Sequence, residues 1–444
     1  MKASSLFLIA LFCQLKKVHI RYAILRNYEL LPASTGGSDI DIWVHSDDCK
    51  KFFDLIKDTA NDYNGTLVSY IWKRFEPKIC FLGPDWGVQF DVYTGLVPIG
   101  DFVFYTGDVI EKHIVDYHGV KVLDEKWCAI ESLLKEVLNT GKCDKKEKYY
   151  NDASKALGTI SDLELKDGLP MFSDNYRNIL RRVGRERKSL ELISLLYKEG
   201  LKELKNKVPG CFWDKYLKFK RIFRRPGYMI AILGTDGAGK SAIYNTIYPH
   251  LEAAFHKKLY YRHLRPDMLP DIAELFGKRK KSDRPEVCEN PHSKKSSGIV
   301  MSLVRILYYL QDYTWGYWLK IWPIISTQSA VFVMDRYYYD YYIDQSRSRT
   351  HLPDWIIRFF DFFVPSPDII ICLGGDPDKI FARKPETSIK EVTRQTEALK
   401  AFCNRRRNAF WVDSTENDVD TSAKMVLKLI SERFSRKFNN VKSL

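Results

Sequence analysis

From Tyr228 onward, near-continuous apolar or β-prone runs alternate with stretches of helical period. The runs are Tyr228–Leu233, Lys258–Arg262, Ala330–Met334, Asp368–Leu373 and Ala409–Val412. Strands buried on both faces lose the alternation of polar and apolar residues, so this pattern predicts a parallel sheet flanked by helices. Before Gly141 the pattern differs. Short strands are expected at His19–Leu25, Asp39–Val44, Leu67–Trp72 and Val88–Tyr93. A helix is expected from Ser46 to about Asn61, with Ser46 as candidate N-cap and two aspartates in its first turn. A second helix is expected near Asp124. This is a mixed α/β pattern. Between 142 and 225 no strand is legible, and apolar residues recur with helical period. Pro226-Gly227 closes that segment and marks a boundary. The expected organisation is a mixed α/β domain over 1–141, a helical basic connector over 142–226 and an α/β domain over 227–444.

Two apolar stretches could be misread. Lys2 followed by Leu6 to Phe12 has the look of a signal peptide, but Gln14, Lys16 and Lys17 interrupt the run and no A-x-A site follows. A buried helix is expected there. Ile299 to Ile325 is apolar and aromatic, yet Arg305, Gln311, Asp312 and Lys320 break it. One or two buried helices are expected, rather than a membrane span.

Composition narrows the class. At 444 residues, two or three domains are expected. Hydrophobic residues make up 45% and charged residues 28%, which excludes a mostly disordered or collagen-like chain. The net charge of +14 calls for an acidic partner. The nine cysteines are scattered without a C-x-x-C pair or a zinc pattern, which reads as reduced thiols in a cytoplasmic protein. Much of the basic excess lies between Arg177 and Arg225, with sixteen Lys or Arg against five Asp or Glu. Within it, Phe212, Trp213, Tyr216, Phe219 and Phe223 form a helical stripe edged by cations over 212–225. Such a stripe suits peripheral contact with an anionic membrane. It equally suits packing of a connector helix on one of the domains. No nucleic-acid recognition motif is present, so no nucleic-acid partner is expected. Monomer and homodimer both stay open.

The strongest motif is Gly234-Thr-Asp236-Gly237-Ala-Gly239-Lys240-Ser241, a full G-x-x-x-x-G-K-[ST] match. An apolar strand enters it and a helical pattern leaves it. Its glycines let backbone N–H groups curl around phosphate, and the helix N-terminus adds a favourable dipole. Lys240 would reach the β and γ phosphates of ATP, and Ser241 would offer an oxygen to Mg2+. Asp236 would position an acceptor, or simply form the turn. A second apolar strand ends in Asp335-Arg336. In a P-loop fold its carboxylate can face the magnesium shell and its arginine the transferred phosphoryl group.

These motifs, with Pro367–Leu373 and the segment Asp376 to Lys384, resemble thymidylate kinase and its relatives over about residues 228–436. The resemblance implies a nucleoside-monophosphate-kinase fold with a five-stranded parallel sheet, and a lid over ATP opened by Arg383 and Lys384. Read without it, those two cations are equally well solvated or complementary to a helix dipole. The acceptor loop departs from the family. Thymidylate kinases carry Arg-Glu-Pro-Gly after the second strand, and this chain has Tyr261-Arg262-His263-Leu264-Arg265-Pro266. His263 and Arg265 are candidate acceptor contacts, with Tyr337 and Asp340 from the aromatic run after Arg336. Rings with interspersed charge suit a sugar, a base or packing. The chain therefore resembles the thymidylate-kinase-like proteins often encoded with bacterial surface-polysaccharide genes more than a housekeeping enzyme. The implied acceptor is a small nucleotide or sugar.

Near the N-terminus, Gly36-Gly37-Ser38-Asp39-Ile40-Asp41-Ile42 puts two carboxylates on one face of a strand, and Asp91 lies in a second strand-like run. This resembles the nucleotidyltransferase fold of the polymerase-β type over about residues 5–125. The resemblance implies Asp39, Asp41 and Asp91 as ligands of a divalent metal. The Gly-Ser that cradles the triphosphate in such enzymes is replaced here by Arg26-Asn27, so an active and a degenerate domain both remain open. The leading expectation is an ATP- and Mg2+-dependent kinase. A non-catalytic, ATP-responsive scaffold and a true thymidylate kinase are the alternatives.

Overall fold

A computed structural model describes residues 2–73, 75–99, 102–143, 147–186, 188–205, 211–266, 268, 269 and 298–438. The side chains of Phe212 and Trp213 lie outside the described set. The chain divides into two compact units, one holding the residues up to Phe81 and Val88–Lys220, the other Leu82–Gly87 and the chain from Arg221 onward.

In the first unit the strands are β1 (Tyr22–Ile24), β2 (Ile40–Val44), β3 (Thr66–Ile71), β4 (Lys78–Leu82), β5 (Gly87–Thr94), β6 (Leu96–Ile99), β7 (Phe102–Thr106), β8 (Ile114–Tyr117) and β9 (Val120–Leu123). Among the described residues, seven of them form one mixed sheet in the order β3-β4-β5-β2-β1-β9-β8, and β6 pairs with β7. β1 runs antiparallel to β2, whereas β2 and β5 are parallel and bring Asp41 opposite Asp91. The run Leu6–Phe12 falls within the helix Ala3–Lys17, which buries Phe7, Leu8, Leu11, Phe12 and Leu15. Ser46 does not cap the next helix. His45 Nδ1 accepts from the Asp47 N–H and starts a 3-10 turn over Ser46–Asp48, and the α-helix Cys49–Asp62 begins after it. Asp124 does cap the helix Glu125–Thr140, accepting from the Lys126 N–H.

The helices Glu147–Thr159, Asp162–Gly168, Asp174–Arg185 and Leu190–Lys205 share one core with this sheet. Tyr150, Leu157, Tyr176, Leu180 and Leu196 are buried in the same cluster as Trp43, Tyr93, Trp127 and Leu134. Their apolar stripes are covered by the sheet side of the unit, which is where such helices gain most of their stability.

In the second unit the strands are β10 (Tyr228–Gly234), β11 (Leu259–His263), β12 (Val331–Asp335), β13 (Ile369–Gly374) and β14 (Ala409–Asp413). The sheet order is β11-β12-β10-β13-β14, and each neighbouring pair is parallel. Every residue of β10, β12 and β13 is buried, as the unbroken apolar runs require. The apolar stretch from Ile299 forms the helix Ile299–Gly316, a π turn over Tyr317–Ile321 and the helix Trp322–Thr327. Among the described residues, no helix is long and apolar enough to cross a membrane.

Candidate functional site

Register places the site. In the parallel sheet Ile232 of β10 is level with Asp335 of β12, and His263 of β11 is level with the same aspartate. The carboxyl ends of three adjacent strands therefore open into one crevice, where ligands of open α/β sheets sit. β10 runs directly into the loop Gly234–Gly239, and the helix Lys240–Phe255 leaves it with Gly239 as its N-cap residue. Gly237 has φ of +87°, and a Cβ there would stand 2.6 Å from the Ile380 carbonyl oxygen. Only glycine meets both conditions.

Lys240 Nζ donates to the carbonyl oxygens of Gly234 at 2.9 Å and Thr235 at 3.0 Å, and lies 3.8 Å from Asp236 Oδ1. Burial, then the nearby Arg336 charge, lowers its ammonium to about 7. Asp335 Oδ2 accepts from the Tyr261 hydroxyl at 2.8 Å and sits 3.1 Å from His263 Nδ1. Burial pushes the Asp335 carboxyl up, but the His263 contact and the Lys240 charge outweigh it and hold the group at about 2. Its second oxygen, Oδ1, is buried without a hydrogen-bond partner.

Arg336 sits in the left-handed region at φ +65° and is buried. It donates to Asp340 Oδ1 at 2.7 Å and to Asp236 Oδ1 at 2.7 Å. Arg347 donates to the other oxygen of Asp236. The loop carboxylate is thus clamped between two guanidinium groups. Asp340 is buried and its Oδ2 has no hydrogen-bond partner.

Arg265 is buried, donates to Asp312 Oδ2 at 2.9 Å, and its guanidinium lies 4.2 Å from the Tyr309 ring centroid. Asp312 Oδ1 accepts from the backbone N–H groups of Met268 at 2.6 Å and Leu269 at 3.3 Å. This aspartate therefore orients the arginine and ties down the chain that follows it. Asp312→Asn keeps the oxygen facing Met268 but removes the charge facing Arg265. With an acceptor phosphate on Arg265, KM for the acceptor rises about tenfold and kcat changes by less than about threefold. Steady-state kinetics checks this, and an unchanged KM would remove Arg265 from the acceptor site.

The other candidates divide. Ser241 is exposed, at the start of the helix that leaves the loop. Lys384 touches the loop from the side, since a Cβ on Gly237 would meet its Cβ at 3.3 Å, and it pairs with Glu386. Arg383 instead donates to the Ser414 carbonyl at 3.0 Å. Tyr337 departs from the acceptor role expected of it. After the left-handed turn at Arg336 the chain enters the core, where Tyr337 is fully buried and donates to the Pro365 carbonyl oxygen. Tyr338, Tyr339 and Tyr341 lie in the same core cluster, so this run is packing. Asp312, Tyr261 and Asp344, whose Oδ2 lies 3.5 Å from Arg347 Nε, are site neighbours that the motifs did not single out. The one signal for Asp312 was the single carboxylate in a largely apolar and aromatic helix.

In the first unit the three-carboxylate metal site expected at Asp39, Asp41 and Asp91 is not assembled as one. Asp41 is fully buried and accepts from Arg26 Nε at 2.6 Å, Arg26 Nη2 at 3.1 Å and the Tyr93 hydroxyl at 3.0 Å, with Lys135 Nζ at 3.3 Å. Asp91 accepts from Lys78 and from Gln89 Nε2 at 3.0 Å. Asp39 is half-buried just before β2. Burial opposes ionisation of Asp41, but the Lys135 and Arg26 charges hold its carboxyl well below the usual range. Protein cations thus neutralise the carboxylates that would face a metal. Among the described residues, no group of three or more His, Cys, Asp or Glu could hold a metal ion.

Residues 232–421 match the family model described as thymidylate kinase. The C-terminal unit holds a thymidylate-kinase-like domain. The match spans the phosphate loop, Asp335-Arg336 and the segment carrying Arg383 and Lys384. Among solved structures, thymidylate kinase from Candida albicans is 18% identical, aligned over 48% of this chain and 93% of that one, with a TM-score of 0.34. Thymidylate kinase from Ehrlichia chaffeensis is 13% identical over 46% of this chain and 99% of that one, with a TM-score of 0.31. No curated protein matches the chain.

Proposed function

We propose that the thymidylate-kinase-like domain transfers the γ-phosphoryl group of ATP to a small phosphorylated or hydroxylated acceptor, a nucleotide or a sugar. The observation that carries this reading is the crevice at the ends of β10, β11 and β12. It gathers Lys240, Asp335, Arg336 and Asp236 and leaves Asp335 Oδ1, Asp340 Oδ2 and the Thr235 hydroxyl buried without hydrogen-bond partners. Each such group costs about 1–3 kcal/mol until something satisfies it. A nucleotide with its metal supplies what is missing. Asp335 Oδ1 and the Ser241 hydroxyl suit magnesium, which keeps few protein ligands and several waters. Bound there, magnesium would neutralise phosphate charge. Lys240 holds the β and γ phosphates, Arg336 faces the charge that develops on the transferred group, and Asp236 and Arg265 orient the acceptor.

The family match favours dTMP as acceptor, whereas the loop around His263 and Arg265 lacks the Arg-Glu-Pro-Gly of thymidylate kinases. We therefore place the acceptor among the intermediates of surface-polysaccharide biosynthesis. The N-terminal unit is read as a nucleotidyltransferase-like fold made degenerate by Arg26, Lys78 and Lys135.

The test is transfer from γ-labelled ATP into a panel of nucleoside monophosphates, dTMP included, and sugars. Label entering one acceptor is the expected result and names its class. Label entering dTMP alone selects a true thymidylate kinase. Tight ATP binding without transfer to any acceptor replaces the kinase with an ATP-responsive scaffold.

A further inference from the structure

We propose that the helix Cys211–Phe223 docks on an anionic membrane surface. Tyr216, Phe219, Ile222 and Phe223 are 46%, 59%, 41% and 75% exposed. At helical spacing these four fall within an arc of about 120°. Lys218 borders one side of the arc and Lys220 and Arg224 the other, with Lys215 at its N-terminal end, and all four cations are exposed. An apolar stripe edged on both sides by cations matches a bilayer interface. The rings and Ile222 enter among the acyl chains, and the lysine and arginine stems reach up to the lipid phosphates.

The C-terminal end of the helix is anchored. Arg225 donates to the Tyr317 hydroxyl at 3.0 Å and to Asp368 Oδ1 at 2.9 Å, and its guanidinium lies 5.5 Å from the Trp322 ring centroid. Beside that anchor stand the exposed Trp318 and Leu319, with Lys320 next to them. The Trp318 and Trp322 rings are 5.0 Å apart. Chemistry selects the membrane over other occupants. A second copy would set cations against cations. A nucleic acid could stack on the rings but has no use for Ile222 and Leu319. No described helix is long and apolar enough to cross a membrane.

Co-sedimentation of the full chain with vesicles tests this, comparing phosphatidylcholine alone with equal parts phosphatidylcholine and phosphatidylglycerol. Binding is expected on the anionic vesicles only, weakening as salt rises. Phe219→Ser with Phe223→Ser, and Lys218→Glu with Lys220→Glu, should each lower the partition coefficient about tenfold or more. These side chains are exposed, so an unfolding curve matching the wild type is expected for both variants. Three results would overturn the proposal: equal binding to both vesicles, undiminished binding of the aromatic variant, or tighter binding to a single-stranded oligonucleotide than to the anionic vesicles.

Discussion

Lys240→Ala lowers kcat for phosphoryl transfer by about 10³-fold or more, the scale of a charge that meets the transferring group in a water-poor site. The fold survives, because among the described residues Nζ donates to the Gly234 and Thr235 carbonyls and pairs at 3.8 Å with Asp236, all within its own loop. The same ammonium makes nucleotide binding depend on pH. Burial first, and the Arg336 charge next, lower it from an ordinary 10.5 to about 7. Its folded value therefore lies below its unfolded value. Between about 7 and 10.5 the unfolded chain binds the additional proton, so this group's contribution to stability improves as pH rises through that window and is least favourable below it. Nucleotide phosphates stabilise the charged form and move the group back up. Binding of ATP at pH 8 then takes up more of a proton at this group than binding at pH 6. Titration calorimetry in buffers of different ionisation heat reads that uptake directly. Lys240→Ala should take up none at either pH, and uptake persisting in the variant would assign the proton to another group.

The C-terminal fold was legible because its physics is local. β10, β12 and β13 are buried on both faces, so their apolar runs stand out, and their observed limits lie within a residue of those expected. The phosphate loop was equally legible, since positive φ angles and close backbone approach leave little choice but glycine. What escaped was contact between distant segments. Arg347 reaches Asp236 across 111 positions, and Asp312 meets Arg265 across 47. No spacing rule joins them. The tyrosines after Arg336 misled for a related reason. An aromatic run reads alike in a ligand site and in a core, and the left-handed turn at Arg336 decides between the two. In the first unit the carboxylates were found, but not the cations that answer them. Lys78 and Lys135 lie on a strand and a helix whose own patterns gave no hint of Asp91 and Asp41. Three of the seven strands of that sheet were also missed. β4, β8 and β9 are only four or five residues long, too short for a period of two to stand out from the surrounding sequence.

Arg336→Ala is expected to damage both the fold and the chemistry. The guanidinium is buried, with Asp340 on one arm and Asp236 on the other, each at 2.7 Å. Removing it leaves Asp340, a buried carboxylate whose Oδ2 lacks a hydrogen-bond partner, facing only the more distant Arg347 Nε at 3.9 Å. Breaking a buried pair from one side costs about 3–5 kcal/mol, and alanine inherits the left-handed backbone that only glycine adopts freely. For a unit of this size that is a fall in Tm of about 10 °C or more. Activity is lost as well, since Asp236 keeps Arg347 and the more distant Lys240 but the charge facing the phosphoryl group is gone. A paired replacement separates the two effects. Arg336→Met with Asp340→Leu removes the stranded charge along with its partner, and shape-matched apolar pairs often restore the stability that a broken ion pair loses. The double variant should regain most of the lost Tm and remain without phosphoryl transfer. Recovery of both would make the arginine purely structural. Recovery of neither would mean that the backbone turn itself, and not the ion pair, holds β12 against the phosphate loop.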